Sequence, residues 1–401
     1  MKTATTPPHR VTLILMTGLS VLTLNMILPA LNNIARDLQA DYALVSVAVA
    51  GYLAVSAGVF LIAGPLSDRI GRRPVVLGAI AIFIASSVAC SLVENVWAFL
   101  AFRMVQAAMV ACGTVSMAVV RDTSSPRESA SILAYIGMAM ALAPMLGPVL
   151  GGIIDTAFGW RAVFWFYAVS GVALFALVWV DQGETLDPAK SPPTGSLRNI
   201  AILLSEQRFW AFAICSAFSV GAFFTFLTGV PLVAERAFGV TSAETGFFIG
   251  SITLGFMFGS FLSGRIGPRY HLTTMMLVGR ITAVSGLFVG FTALSLGWVS
   301  PYIFFGGTIF VGIGNGITLP NTNAGVMSVR DGMSGTAAGL QSAFMSIVGA
   351  ILTMIAGVVI SRWAEPQVLI GLMLIIVSIA LASAFWSRRL ETAQDAAENP
   401  A

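Results

Sequence analysis

Long apolar runs separated by short polar turns occupy almost the whole chain. Twelve stretches of membrane-crossing length can be marked off, at approximately 11–31, 45–65, 75–93, 96–118, 131–154, 161–180, 208–232, 245–263, 273–296, 301–323, 333–358 and 367–386. A bilayer core is crossed by about 20 apolar residues of helix. Backbone in lipid must satisfy its own hydrogen bonds, so each run is expected as a helix. The pattern predicts an all-α membrane protein with twelve transmembrane helices.

Composition agrees, with 57% hydrophobic and 10% charged residues. Soluble domains carry about 25% charged residues, so this chain has too few to surface itself for water. The placement of charge says more than its net value of +3. Of 21 Lys and Arg, fifteen fall in turns of one face and four (Arg36, Arg161, Arg236 and Arg362) in turns of the other, while Arg103 and Arg280 lie inside spans. By the positive-inside rule both termini are expected in the cytoplasm. The basic residues are spread over seven short segments rather than gathered in one patch, so a nucleic-acid surface is not expected. Cys90, Cys112 and Cys215 lie in apolar runs at unrelated spacing and read as small core residues. A cleaved leader over Val11–Ala30 is not expected, because no Ala-x-Ala site follows at Leu31–Ala35.

The one long hydrophilic connector is 181–207, with Asp187-Pro188 and Ser191-Pro192-Pro193-Thr194-Gly195. Such clusters read as a flexible linker. The expected organisation is a six-helix half at 1–180, a cytoplasmic linker at 181–207, a second half at 208–387 and a frayed tail at 388–401. The halves repeat internally. Leu66-Ser67-Asp68-Arg69-Ile70-Gly71-Arg72-Arg73 returns as Leu262-Ser263-Gly264-Arg265-Ile266-Gly267-Pro268-Arg269, and Val120-Arg121-Asp122 returns as Val329-Arg330-Asp331. Parallel repeats of this kind place a substrate cavity at their interface, near the midplane.

The turn between spans 2 and 3 reads Gly64-Pro65-Leu66-Ser67-Asp68-Arg69-Ile70-Gly71-Arg72-Arg73. Gly71 is suited to a sharp turn, and Arg69, Arg72 and Arg73 are expected at the headgroup level. This segment resembles, position for position, the loop signature of the major facilitator superfamily. Ala143-Pro144-Met145-Leu146-Gly147-Pro148-Val149-Leu150-Gly151-Gly152 in span 5 resembles the signature of that superfamily's drug/proton antiporters, with Ala143 in place of a Gly. Arg103-Met104-Val105-Gln106-Ala107 in span 4 resembles the antiporter pattern Arg-x-x-Gln-Gly, with Ala107 in the last place. With Leu24-Asn25-Met26-Ile27-Leu28-Pro29-Ala30-Leu31, Tyr52, Gly159-Trp160-Arg161 and Leu319-Pro320-Asn321, the resemblance narrows to the bicyclomycin/chloramphenicol-resistance (Bcr/CflA) subfamily. One departure matters: relatives carry an acid where this chain has Asn25, and no Asp or Glu lies in the middle of any span.

The resemblance implies alternating access between two six-helix halves. Gly64, Asp68, Arg69, Gly71, Arg72, Arg73, Gly147 and Pro148 are then the gating candidates. Asp68, an acid among arginines, would latch the cytoplasmic side, facing a helix N-terminus of the other half. The expected substrate cavity takes Asn25, Met26, Tyr52, Arg103, Gln106, Met138, Phe223, Phe224 and Asn321, with Phe226, Met140, Asn315 and Asn323 as neighbours. Arg103 is a functional candidate, since a charge inside a span is costly. Arg280 is near enough to a span end to snorkel. Counted at 1.5 Å per residue, Asn25 and Arg103 lie roughly 9–11 Å below the same edge, so Arg103 is expected to donate to Asn25. Without an acid at Asn25, proton coupling would fall to Asp155 or Asp68.

The expected function is proton-driven efflux of small amphipathic drugs of phenicol or multidrug type by a monomer in the bacterial inner membrane. The alternative is a narrower metabolite or amino-acid exporter. The expected partners are the small-molecule substrate, protons and lipid, with no cofactor, metal or nucleic acid. An enzyme is disfavoured: there is no Gly-rich nucleotide loop, and His9 and His271 are the only two histidines.

Overall fold

The computed structural model describes residues 7–124, 126–186, 197–330 and 333–398. Among them the chain is helical and contains no strand. In order come α1 (Arg10–Asn25), α2 (Leu31–Asp37), α3 (Tyr42–Ile70), α4 (Arg72–Leu92), α5 (Val96–Val105), α6 (Val110–Thr123), α7 (Pro126–Phe158) and α8 (Trp160–Asp181). Then follow α9 (Leu197–Ser205), α10 (Gln207–Phe238), α11 (Ser242–Ile266), α12 (Leu272–Ser295), α13 (Pro301–Met327), α14 (Ser334–Arg362) and α15 (Pro366–Glu398). Among the described residues eleven helical stretches are long and apolar enough to cross a membrane, with α1–α2 and α5–α6 each counted as one. A twelfth is α7, bent by 41° between Tyr135–Pro144 and Leu146–Phe158, where Pro144 interrupts the hydrogen-bond ladder. The twelve expected spans all coincide with helices.

Local chemistry sets the ends. Asp41, Asn95 and Ser300 cap α3, α5 and α13 with side-chain oxygens. Thr241 and Glu244 form a reciprocal box at the start of α11, through Thr241 N–H to Glu244 Oε2 at 2.7 Å and Glu244 N–H to Thr241 Oγ1 at 3.3 Å. Three expectations need correction. The segment Gly64–Ile70 is helix rather than turn, and only Gly71 breaks it, at φ 103°. The stretch 181–207 contains a helix, α9, whose Leu203 is buried against Phe209 and Phe212. The tail from 388 continues α15 as helix to Glu398.

The chain divides into two compact units, Met1–Thr194 with Thr241–Phe247, and Gly195–Val240 with Phe248–Ala401. In the first, α1 packs on α7 and α4 on α8. An aromatic chain runs Trp160–Phe99–Phe164–Tyr167–Phe83, its centroids 5.6–5.9 Å apart. In the second, α12 packs on α13, and α10 on α14 and α15. There Phe226, Phe304, Phe305 and Phe248 form the equivalent aromatic core. All three cysteines are buried and unbonded to each other.

Candidate functional site

The polar interior of the first unit is organised by a break in the first span. Pro29 has no N–H to continue the helical ladder, so α1 stops at Asn25 and a short 3₁₀ turn, Leu28–Ala30, leads to α2. Just before the break, the Thr23 carbonyl accepts from Arg103 Nη2 at 2.9 Å and from Tyr167 Oη at 2.9 Å. Arg103 Nη1 donates to Gln106 Oε1, and Gln106 Nε2 donates to Ser87 Oγ at 2.6 Å. The guanidinium lies 4.5 Å from the centre of the Tyr52 ring. Five elements of the unit thus converge on one buried cation. Among the described residues no carboxylate pairs with it.

This arrangement brings Asn25, Met26, Tyr52, Arg103 and Gln106 into one region, but all five are buried, with Arg103 and Gln106 at 0% exposure. The expected bond between Arg103 and Asn25 is not made. Asn25 Nδ2 donates instead to the Val21 carbonyl at 2.7 Å, and Asn25 Oδ1, Tyr52 Oη and Arg103 Nε have no hydrogen-bond partner. The expected depth also changes. The first span runs on to Asp37, which places Asn25 near its middle rather than near its end. Span lengths read from hydropathy stopped short at Leu31 because the polar pair Asn32-Asn33 follows.

The span-5 signature packs on the break. A Cβ on Gly147 would meet Asn25 Cβ at 2.9 Å, and one on Gly151 would collide with the Met26 carbonyl. Backbone-to-backbone packing this close requires glycine. Pro148 is buried beside them, and its carbonyl adjoins Gly246 of the Thr241–Phe247 segment. The side chain of Met138 lies outside the described residues; Met140 is exposed.

At the end of the unit that carries His9, the α3–α4 junction holds a compact ionic cluster. Arg72 is 3% exposed. It pairs with Asp68 at 2.5 Å and with Asp122 at 3.0 Å, and donates to Ser67 Oγ at 2.5 Å. Arg69 is exposed. Arg73 donates to the Trp179 carbonyl at 2.8 Å and stacks on that ring. Two acids unremarked in the sequence seal helix starts here. Glu184 accepts from the Arg72 and Arg73 N–H groups at 2.9 and 3.2 Å, and Asp181 accepts from His9 N–H at 2.8 Å and Thr12 Oγ1 at 2.5 Å. Gly64 has open space around it. Nothing local to positions 181 and 184 marks them as caps; only their return to distant helix starts does.

At the opposite end, Asp155 is 4% exposed. Its Oδ2 accepts from Asn33 Nδ2 at 2.7 Å, the same amide lies 3.3 Å from Ser242 Oγ, and Asp155 Oδ1 has no partner. An open cavity of about 500 Å³ reaches it, lined also by Asn33, Arg36, Asp37, Phe158, Trp160 and Arg161. Asp37 accepts from Trp160 Nε1 at 3.1 Å and pairs with Arg161.

In the second unit Arg280 does not snorkel. It is fully buried, donates to Thr318 Oγ1 at 2.9 Å and Asn315 Oδ1 at 2.8 Å, and leaves Nη1 without a partner. Asn315 passes the link to the Ser219 carbonyl at 3.1 Å. Asn321 is spent on a helix–helix contact, donating to Ser263 Oγ at 2.9 Å and the Ile317 carbonyl at 2.7 Å. Asn323 is exposed, and Phe223 and Phe224 are half-buried with ring centres 6.0 Å apart.

The model of the Major Facilitator Superfamily matches residues 13–353. The chain is 27% identical over 376 residues to the chloramphenicol resistance protein of Pseudomonas aeruginosa, covering 91% of this chain and 87% of that one. It is 30% identical over 359 residues to the multidrug resistance protein MdtL of Escherichia coli O157:H7, covering 88% of each. Among solved structures, an inward-facing bacterial homologue of the human lysosomal transporter Spinster matches with TM-score 0.77 and 16% identity, over 95% of this chain and 96% of that one. That likeness concerns the fold alone.

Proposed function

This chain belongs to the Major Facilitator Superfamily, and on that premise we propose that it is a proton-driven exporter of small amphipathic drugs. The family consists of transporters, and the chain is a multi-pass membrane protein of the drug-efflux type. The observation that carries the finer reading is the Arg103 cluster. A buried cation with no carboxylate partner among the described residues, over the ring of Tyr52 whose hydroxyl is unpartnered, suits neutral or anionic polar groups such as those of a phenicol. It disfavours lipophilic cations, which a buried guanidinium repels.

In this reading the halves 1–180 and 208–387 alternate access in a monomer in the bacterial inner membrane. Both termini and the 181–207 linker are cytoplasmic, as the distribution of arginines indicates. The Asp68–Arg72–Asp122 cluster holds the cytoplasmic ends of α3, α4 and α6, and its rearrangement latches that side. Since Asp68 is occupied by Arg72, Asp155 is the better candidate to carry the proton.

The test is accumulation of labelled florfenicol in cells, with and without an uncoupler. Expression should lower accumulation, and the uncoupler should restore it. Export that ignores the uncoupler would remove the proton from the reading. Competition that favours a quaternary ammonium over a phenicol would overturn the assignment of substrate class.

A further inference from the structure

The break in the first span changes the partners of one carbonyl. In a continuous helix the Thr23 carbonyl would take the N–H of residue 27. Because α1 stops at Asn25, two side chains serve it instead: Arg103 Nη2 from α5 and Tyr167 Oη from α8, each at 2.9 Å. Both residues are fully buried. One acceptor thus holds two donors, while the cation has a donor to spare, since Arg103 Nε is without a partner. The two donors differ in freedom. The Tyr167 ring lies 5.9 Å from Phe83 of α4 and 5.8 Å from Phe164 of its own helix, centre to centre. Those contacts fix the direction of the ring, so its hydroxyl stays on Thr23. Arg103 has a long side chain with five N–H groups and can exchange one acceptor for another.

From this geometry we propose that Tyr167 is a positioning residue for Arg103: its hydroxyl keeps the Thr23 carbonyl satisfied, so the guanidinium is free to turn Nη2 to an oxygen of the drug. This role rests on the reading of Arg103 as the drug-facing cation. A buried carbonyl that loses its last donor is costly to leave, whereas one that goes from two donors to one remains satisfied. With the hydroxyl in place, recruitment of Arg103 by a drug leaves Thr23 with Tyr167. Without it, the drug must compete against an acceptor that has no other side-chain donor. Gln106 stays on Nη1 throughout, held by its own bond to Ser87 Oγ, so the guanidinium turns about a fixed corner. Tyr167 acts through Arg103 and need not touch the drug.

The experiment takes away one donor at a time in the full chain. Tyr167→Phe removes only the hydroxyl, and Arg103→Met removes the guanidinium. Thermal unfolding of the purified, drug-free proteins reads the shared carbonyl. Each single variant leaves Thr23 one donor, so each should accumulate and fold. The double variant leaves none, and its loss of melting temperature should exceed the sum of the two single losses. A double variant that alone fails to accumulate counts as that excess. Florfenicol titrated onto the purified parent and Tyr167→Phe then reads the role toward the drug. Loss of the hydroxyl should weaken binding about tenfold, the cost of taking the last donor from a buried carbonyl. Additive losses in the cycle overturn the proposal. So does failure of Tyr167→Phe to accumulate, because Arg103 alone would then not suffice for Thr23. The two readings fail separately. A parent that binds florfenicol, with affinity unchanged in Tyr167→Phe, sinks the positioning role alone. A parent that binds a quaternary ammonium and no florfenicol sinks the drug reading of Arg103; the drug-free cycle still decides whether Tyr167 shares the carbonyl.

Discussion

Among the described residues each unit holds one fully buried arginine without a carboxylate partner, and that arginine ties three helices together. In the first, Arg103 of α5 reaches the Thr23 carbonyl of α1, while Gln106 extends the link to Ser87 of α4. In the second, Arg280 of α12 reaches Asn315 and Thr318 of α13, and Asn315 reaches Ser219 of α10. The difference lies in what surrounds them. Arg103 stands beside a broken helix with Asn25 Oδ1 and Tyr52 Oη unpartnered, whereas Arg280 sits between α12 and α13 where glycines press together; a Cβ on Gly279 would collide with Thr318 Oγ1. One cation lies by a helix break in the first span; the other, with its Nη1 also unpartnered, lies between continuous helices. Repeated architecture therefore does not impose repeated bonding.

The sharpest way to break this contrast is to replace each arginine by Met. Insertion of a buried arginine costs about 2.5–3.5 kcal/mol, and each acceptor left unpaired costs about 1–3 kcal/mol. For Arg103→Met these terms nearly cancel, since Thr23 keeps Tyr167 and only Gln106 Oε1 is orphaned. Folded yield should hold while resistance falls to that of cells without the protein. Arg280→Met orphans two acceptors, so its melting temperature should fall while efflux persists. Equal loss of efflux in both would abolish the distinction.

The repeated loop offers the next contrast. Gly71 has φ 103° and its missing Cβ would meet Glu184, whereas Gly267 has an ordinary backbone and the nearest heavy atom to an added Cβ is Ser263 Oγ at 3.8 Å. Gly71→Ala should cost about 1–3 kcal/mol. Gly267→Ala should stay within about 0.5 kcal/mol. Thermal unfolding of the detergent-solubilised variants decides it.

A functional counterpart is Asp68→Asn, which should leave protein in the membrane and reduce transport. Gly264→Asp, the matching position of the second copy, should have little effect. Unchanged export in Asp68→Asn would leave the loop with orientation as its only task. The smallest effect is expected from Glu206→Gln. This residue pairs with Arg330 at 2.5 Å, but the pair is 29% and 55% exposed, so its loss should cost about 0.2–1 kcal/mol. A larger drop in melting temperature would mean that the second unit depends on its surface pairs more than the first.

Much of the architecture was legible because it rests on local rules. A run of apolar residues must become a helix in lipid, and Gly71 makes the sharp turn it is suited to; Pro29 ends α1, whereas Pro65, Pro231 and Pro320 lie inside helices. The existence of a buried arginine at 103 was legible for the same reason, since its neighbours in sequence are all apolar or uncharged. The roles of Arg280, Asp181, Glu184 and Asn33 were not. Arg280 lies two turns from a helix start, a spacing that permits snorkelling equally well, and only the approach of α13 decides otherwise. Asn33 adjoins Asp155 across 122 positions of sequence.

What the sequence by itself determined is which segments are membrane-length helices and which charges are stranded inside, because burial and backbone hydrogen bonding act on each segment alone. Which partner each stranded group finds was decided only by the tertiary structure. Arg103 met a carbonyl at a helix break and not Asn25, and Arg72 met two acids. A hydrogen bond depends on distances of a few tenths of an ångström, and those are set by how whole helices pack.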